Sequence, residues 1–155
     1  MQLILWRHAE AEDHGGKPDT DRALTKKGRK QAARMAAWLR ARLTKDWRIL
    51  VSPAVRTLET VAPLELPFEE EKAVGLSATA KTVLAAAGWP GGKRDVVVVG
   101  HQPTLGEVAA ELLGSDAGLS MKKGAIWWFV AREREGRHET VLKIVLGADE
   151  TDEGD

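Results

Sequence analysis

Val96-Val-Val-Val-Gly-His-Gln-Pro103 is where the architecture of this chain can be read. Four successive valines show no polar alternation, so the strand they predict is covered on both faces, and their β-branched side chains suit a pleated surface. Gly100 ends the run. Pro103-Thr104 then leads into a helix whose apolar residues Val108, Ala109, Leu112 and Leu113 face one way, stopped by Gly114-Ser115. A strand buried on both faces needs helices above and below it, which points to a parallel sheet.

The same pattern recurs upstream. Leu3-Ile-Leu-Trp6 is a short apolar run ending in Arg7-His8, and Arg48 to Val51 predicts another buried strand. Between them, residues 10 to 24 are polar, with Gly15, Gly16 and Pro18, and form a loop. Thr25 is placed to cap a helix in which Ala32, Met35, Ala36, Leu39 and Leu43 recur at spacings of three and four. Lys26, Lys27, Arg29, Lys30 and Arg34 lie mostly on its other faces and read as a solvated surface. Ser52-Pro53 reads as an N-cap followed by proline at the first helical position, with the helix running to about Ala62. Pro63 and Pro67 break the chain, Phe68 to Val74 holds a short strand, and Thr79 to Ala87 is a helix closed by Gly88 and Pro90. Ala125 to Arg132 and Glu139 to Leu146 predict an antiparallel hairpin around Gly136. The expected fold is a single-domain α/β protein over residues 1–148, its mostly parallel sheet covered by helices on both faces and extended by a C-terminal antiparallel hairpin. The acidic tail 149–155 is expected to be disordered.

Composition narrows the chemistry. The 155 residues, 43% hydrophobic and 30% charged, are enough for one domain. Lys plus Arg and Asp plus Glu both number 23, so the net charge is zero and neither nucleic acid nor an anionic membrane is an expected partner. The absence of cysteine excludes disulfides, zinc–thiolate sites and cysteine nucleophiles. Apolar runs are short and no basic segment precedes the first one, so a cytoplasmic protein is expected.

In open α/β sheets ligands bind outside the carboxyl ends of the strands. Three strands here end in reactive residues: Arg7-His8, Ser52 with Arg56 one helical turn on, and Gly100-His101-Gln102. One histidine after a strand is more often a structural hydrogen-bonder than a catalyst, and one arginine in a first helical turn is usually a surface charge. Three strands delivering such residues to one edge argue for more. Two arginines and two histidines beside two helix N-termini form an anion site suited to a phosphoryl group. His14 and His138 have no such company and are expected in solvent. GGKRD lacks the spacing of a nucleotide-binding loop, and there is no GxGxxG.

Arg7-His8-Ala9, LTKKGRKQA (Leu24 to Ala32), SPAVRTLET (Ser52 to Thr60) and VVVVGHQP together resemble the signature segments of the histidine phosphatase superfamily, which has the phosphoglycerate-mutase-like fold. The short chain, the direct run from Arg56 to His101 and the RHAEA motif are similar to its SixA-type phosphohistidine phosphatase branch. The resemblance covers roughly residues 1 to 113. It implies that His8 is a nucleophile that becomes phosphorylated, that Arg7, Arg56 and His101 hold the phosphoryl group, and that Arg22 lies near the pocket. Ala9 departs from the glycine common after the histidine. Many members use a carboxylic acid as proton donor; Glu10 is the candidate here, ahead of Glu12 and the run Glu69 to Glu71, which reads as a solvated loop.

Such chemistry needs a neutral His8 with one ring nitrogen free and the other held as a donor, at a solvent-facing strand end. It calls for no metal and no cofactor. The expected substrate is phosphohistidine on a partner protein. The alternatives are a phosphatase of small phosphate esters and a non-catalytic module that binds phosphate or a phosphoprotein. A metal-dependent hydrolase is disfavoured because His8 and His101 have no third ligand at suitable spacing.

Overall fold

The computed structural model describes residues 1–151. Six strands, β1 (Gln2–Arg7), β2 (Arg48–Val51), β3 (Glu69–Glu70), β4 (Val96–Gly100), β5 (Ile126–Arg134) and β6 (Arg137–Leu146), form one sheet. Their order is β3-β2-β4-β1-β5-β6. The valine strand β4 runs parallel to β1 on one side and β2 on the other. β3 extends the parallel part, while β5 and β6 add the antiparallel edge. The expected α/β architecture is observed, with helices α1 (Lys26–Arg40), α2 (Val55–Val61), α3 (Ala80–Ala87) and α4 (Thr104–Leu113).

Period-two alternation divides the core. Ile4, Trp6, Val97 and Val99 point to the face where Met35, Ala36 and Leu39 of α1 and Val61 of α2 pack. Leu3, Leu5, Val96 and Val98 point to the other, against Val83 and Ala87 of α3 and Val108 and Ala109 of α4. Each large apolar side chain withdrawn from water in this way contributes about 1.5–3 kcal/mol. The doubly covered sheet explains the uninterrupted apolar runs. Among the described residues no helix is long and apolar enough to cross a membrane.

Several local expectations need correction. Thr25 caps α1 as expected, its side chain accepting from Gly28 N at 3.0 Å. Ser52, by contrast, is not an N-cap: α2 begins at Val55 with Ala54 in the cap position. The strand expected over Phe68 to Val74 shrinks to Glu69–Glu70, followed by a 3-10 turn over Lys72–Val74. The hairpin strands are longer than their apolar cores because only Glu135 and Gly136, at φ 54° and 77°, form the turn. Two consecutive left-handed residues match the twist of the flanking strands, so charged residues continue the ladder up to the turn. Within the supposed tail, Asp149–Thr151 forms a 3-10 turn, and residues 152–155 lie outside the described residues.

Gly28 lets α1 meet the segment after β1. A Cβ there would overlap the carbonyl oxygen of Glu10, a backbone atom that cannot rotate away. Gly28→Ala should therefore destabilise the fold by about 1–3 kcal/mol, as overpacking does. Urea unfolding will check this; an unchanged midpoint would mean that the helix shifts without cost.

Candidate active site

The register of the sheet brings the strand ends level. Arg7 pairs with Gly100 across β1 and β4, and Val51 pairs with Val99 across β2 and β4. The next residues continue the contacts: His8 N donates to Gly100 O and Ser52 N donates to Val99 O, both at 3.1 Å. His8, Ser52 and His101 thus leave the sheet at one edge.

His8 is held on all sides. Its carbonyl accepts from Gly124 N at 2.9 Å. Ala9 N donates to Thr60 Oγ1, which itself donates to the carbonyl of Arg56, linking the segment after β1 to α2. Contrary to the solvent-facing position expected for it, His8 is only 7% exposed. Its Nδ1–H donates to Ala9 O at 2.7 Å. That bond assigns the proton to Nδ1 and leaves the Nε2 lone pair free. Burial pushes the imidazole down to about 3 against the opposing hydrogen bond to Ala9 O, with the neighbouring His101 ring and the charges of Arg56 and Arg7 adding to the shift. It is neutral across the physiological range. Burial is a larger cause than the cationic neighbours.

The His101 ring lies 5.4 Å from that of His8, centroid to centroid, inclined at 56°. Ser52 Oγ meets its Nε2 at 2.7 Å and accepts from Ala54 N at 3.4 Å. His101 Nδ1 is buried with no hydrogen-bond partner. Burial, and after it Arg56, lowers His101 to about 4. The serine read as a helix cap is therefore an orienting partner for His101.

Arg56 enters from the first turn of α2 with its side chain 5% exposed. Nη1 donates to Asp19 O at 2.7 Å and Nη2 to Asp19 Oδ2 at 3.1 Å. Arg7 Nη1 donates to Met121 O at 2.7 Å. The Nε atoms of both arginines are buried without a partner. An unsatisfied buried donor costs about 1–3 kcal/mol. Unpaired donors of this kind around a neutral imidazole form a site that an oxyanion would satisfy.

Other candidates lie farther out. Arg22 donates from Nε to Glu12 O at 2.7 Å and pairs with Asp19 Oδ1 at 3.2 Å, so its tie to the cluster runs through Asp19. Glu10 accepts from the Thr25 hydroxyl at 3.1 Å and donates from its backbone N to Gln31 Oε1, which turns its carboxylate toward the start of α1. Glu69 lies level with Leu50 of β2 and its carboxylate pairs with Arg48, back toward the start of that strand. Glu71 accepts from Ala73 N, capping a 3-10 turn. His138 is exposed. His14 is largely exposed and meets Asp19 Oδ1 at 3.1 Å. Asp19 and Thr60 were missed by sequence reasoning. A short acidic residue in a polar loop carries no spacing signal, and Thr60 reads as one more residue of a helix.

The α/β sheet thus brings paired histidines and arginines together at its carboxyl edge. Residues 3–77 match the family model of the histidine phosphatase superfamily, branch 1. The chain is 33% identical over 142 residues to a phosphohistidine phosphatase SixA homolog of Haemophilus influenzae, covering 81% of this chain and 85% of that protein. It is also 33% identical over 120 residues to phosphohistidine phosphatase SixA of Escherichia coli, covering 72% and 74%. A solved protein histidine phosphatase SixA, complexed with tungstate, superposes with a TM-score of 0.77 at 26% identity, covering 96% of this chain and 98% of that one. The chain belongs to the histidine phosphatase superfamily, in its SixA-type branch. Phosphatase is the activity that this membership supports.

Proposed function

We propose that this protein dephosphorylates phosphohistidine on a partner protein through a phosphorylated His8. The observation that carries the reading is the Nδ1–H bond of His8 to Ala9 O in a ring held neutral, which leaves Nε2 as a nucleophile. In-line attack of Nε2 on phosphorus forms the N–P bond as the bond to the leaving group breaks. Water then attacks the phosphoenzyme, releasing inorganic phosphate and restoring His8. Arg7, Arg56 and His101 supply donors to the equatorial oxygens, and a bound dianion favours the protonated form of His101. This is catalysis by positioning and charge. The relatives named as phosphohistidine phosphatases, and the one solved with a tetrahedral oxyanion, support the assignment.

The leaving group favours phosphohistidine over an ester. An alkoxide needs a proton as it departs, whereas phosphohistidine can expel a neutral imidazole when its other nitrogen is protonated. Glu10 is engaged with Thr25, and Glu69 with Arg48, so neither is free to serve as a dedicated acid. Assay of a phosphohistidine peptide beside alkyl phosphates and sugar phosphates tests the preference. Glu10→Gln, or neutralisation of Glu69, Glu70 and Glu71 together, should change phosphohistidine turnover by less than about tenfold, against about 10²–10⁴-fold for loss of a true general acid. Losses of that larger size would assign a carboxylate to the reaction. Faster hydrolysis of the esters by the wild type would overturn the substrate assignment.

A further inference from the structure

Asp19 is the acidic residue closest in bonding to the cluster, and the reaction outlined above leaves it without a task. A guanidinium offers two edges with paired donors: end-on through Nη1 and Nη2, and side-on through Nε and Nη2. Asp19 takes the end-on edge twice, with its carbonyl on Nη1 at 2.7 Å and Oδ2 on Nη2 at 3.1 Å. The side-on edge stays open, and Nε within it is buried without a partner. Asp19 is itself clamped, because Oδ1 meets Arg22 Nη1 at 3.2 Å and His14 Nε2 at 3.1 Å. Burial pushes the Asp19 carboxyl upward, but hydrogen bonds from Arg22 and Arg56 outweigh that and hold it below the ordinary carboxylate range.

We infer that Asp19 is a positioning residue for Arg56, gripping the guanidinium end-on so that Nε–H and the second Nη2–H face the phosphoryl group side-on. This rests on the phosphatase reading above. Arg22 then acts at one remove, anchoring Asp19. The arrangement sets two effects of Asp19 against each other. Its charge offsets that of Arg56 and weakens the grip on a ground-state anion, while its geometry aligns the donors for the transition state, where misplacement of about 1 Å can cost about 10²-fold.

Asp19→Ala and Asp19→Asn separate these effects, because both lose the charge and only asparagine keeps a side-chain acceptor. In turnover of a synthetic phosphohistidine peptide, Asp19→Ala should lower kcat about tenfold or more, and Asp19→Asn should recover kcat to within about threefold of wild type. Inorganic phosphate should bind both variants at least as tightly as wild type. Side-chain NMR of Arg56 gives a readout independent of turnover. Slow guanidinium rotation, with separate Nη proton signals, is expected in wild type and Asp19→Asn and becomes faster in Asp19→Ala, where only the backbone carbonyl of residue 19 still holds Nη1. An unchanged kcat in Asp19→Ala, or an Arg56 signal equally restrained in all three proteins, would overturn the inference. Equal losses in both variants, growing with the basicity of the leaving group, would also overturn it and make Asp19 a proton carrier. A wild type that turns over neither the peptide nor p-nitrophenyl phosphate would sink the phosphatase reading instead, and the Arg56 signals would still decide whether Asp19 orients it.

Discussion

His8→Ala should reduce turnover by about 10⁴-fold or more, as expected for loss of a covalent nucleophile. Rapid-quench labelling of the wild type should trap acid-labile phosphate on His8, and none should appear in the variant. The fold should survive. His8 is buried, but its side-chain hydrogen bond is local, to Ala9 O, and a net contribution of about 1 kcal/mol is all that such a bond makes. The backbone contacts of residue 8 to Gly100 and Gly124 do not involve the imidazole and remain. Near-normal turnover in a folded His8→Ala protein would remove His8 from the reaction.

Arg56→Lys should lower kcat/KM by about 10²-fold or more, the scale measured for loss of one strong oxyanion donor. Charge is not what is lost. An ammonium is a point donor, whereas Arg56 spans Asp19 with one edge and keeps a buried Nε on the other. Lysine would satisfy Asp19 or the phosphoryl group, and the barrier would rise in either case. Steady-state kinetics on the phosphohistidine peptide, with Arg56→Ala as the reference for complete loss, checks this. A lysine variant with wild-type kcat/KM would place residue 56 outside the phosphoryl pocket.

Much of this was legible from local pattern. The valine run, Leu3 to Trp6 and Arg48 to Val51 announced a sheet covered on both faces because burial on both sides removes the polar alternation of a half-exposed strand. Chain order then placed Arg7, His8, Ser52 and His101 at the carboxyl edge. What was misread was short-range and ambiguous. Ser52-Pro53 has the chemistry of a helix start, yet Ser52 serves His101 and the helix begins at Val55. The Phe68 to Val74 segment has apolar and charged residues enough for a strand, but only Glu69–Glu70 reach β2 before the chain turns.

The types of element, the double covering of the central strands and the chemistry available at the sheet edge were therefore readable from local patterns, which act between neighbours in the chain, whereas the strand order came from long-range pairing. The depth of His8, the tautomer implied by Ala9 O, and the grip of Asp19 on Arg56 were decided by tertiary contact. Asp19 and Arg56 are 37 positions apart, and nothing in the spacing of a polar loop specifies which acidic residue will meet a guanidinium across it. Only packing of that loop over the first turn of α2 brings the two together. Burial of the two histidines beside that pair then lowers both below the ordinary imidazole range, because the cost of a buried charge depends on everything that has displaced water around it.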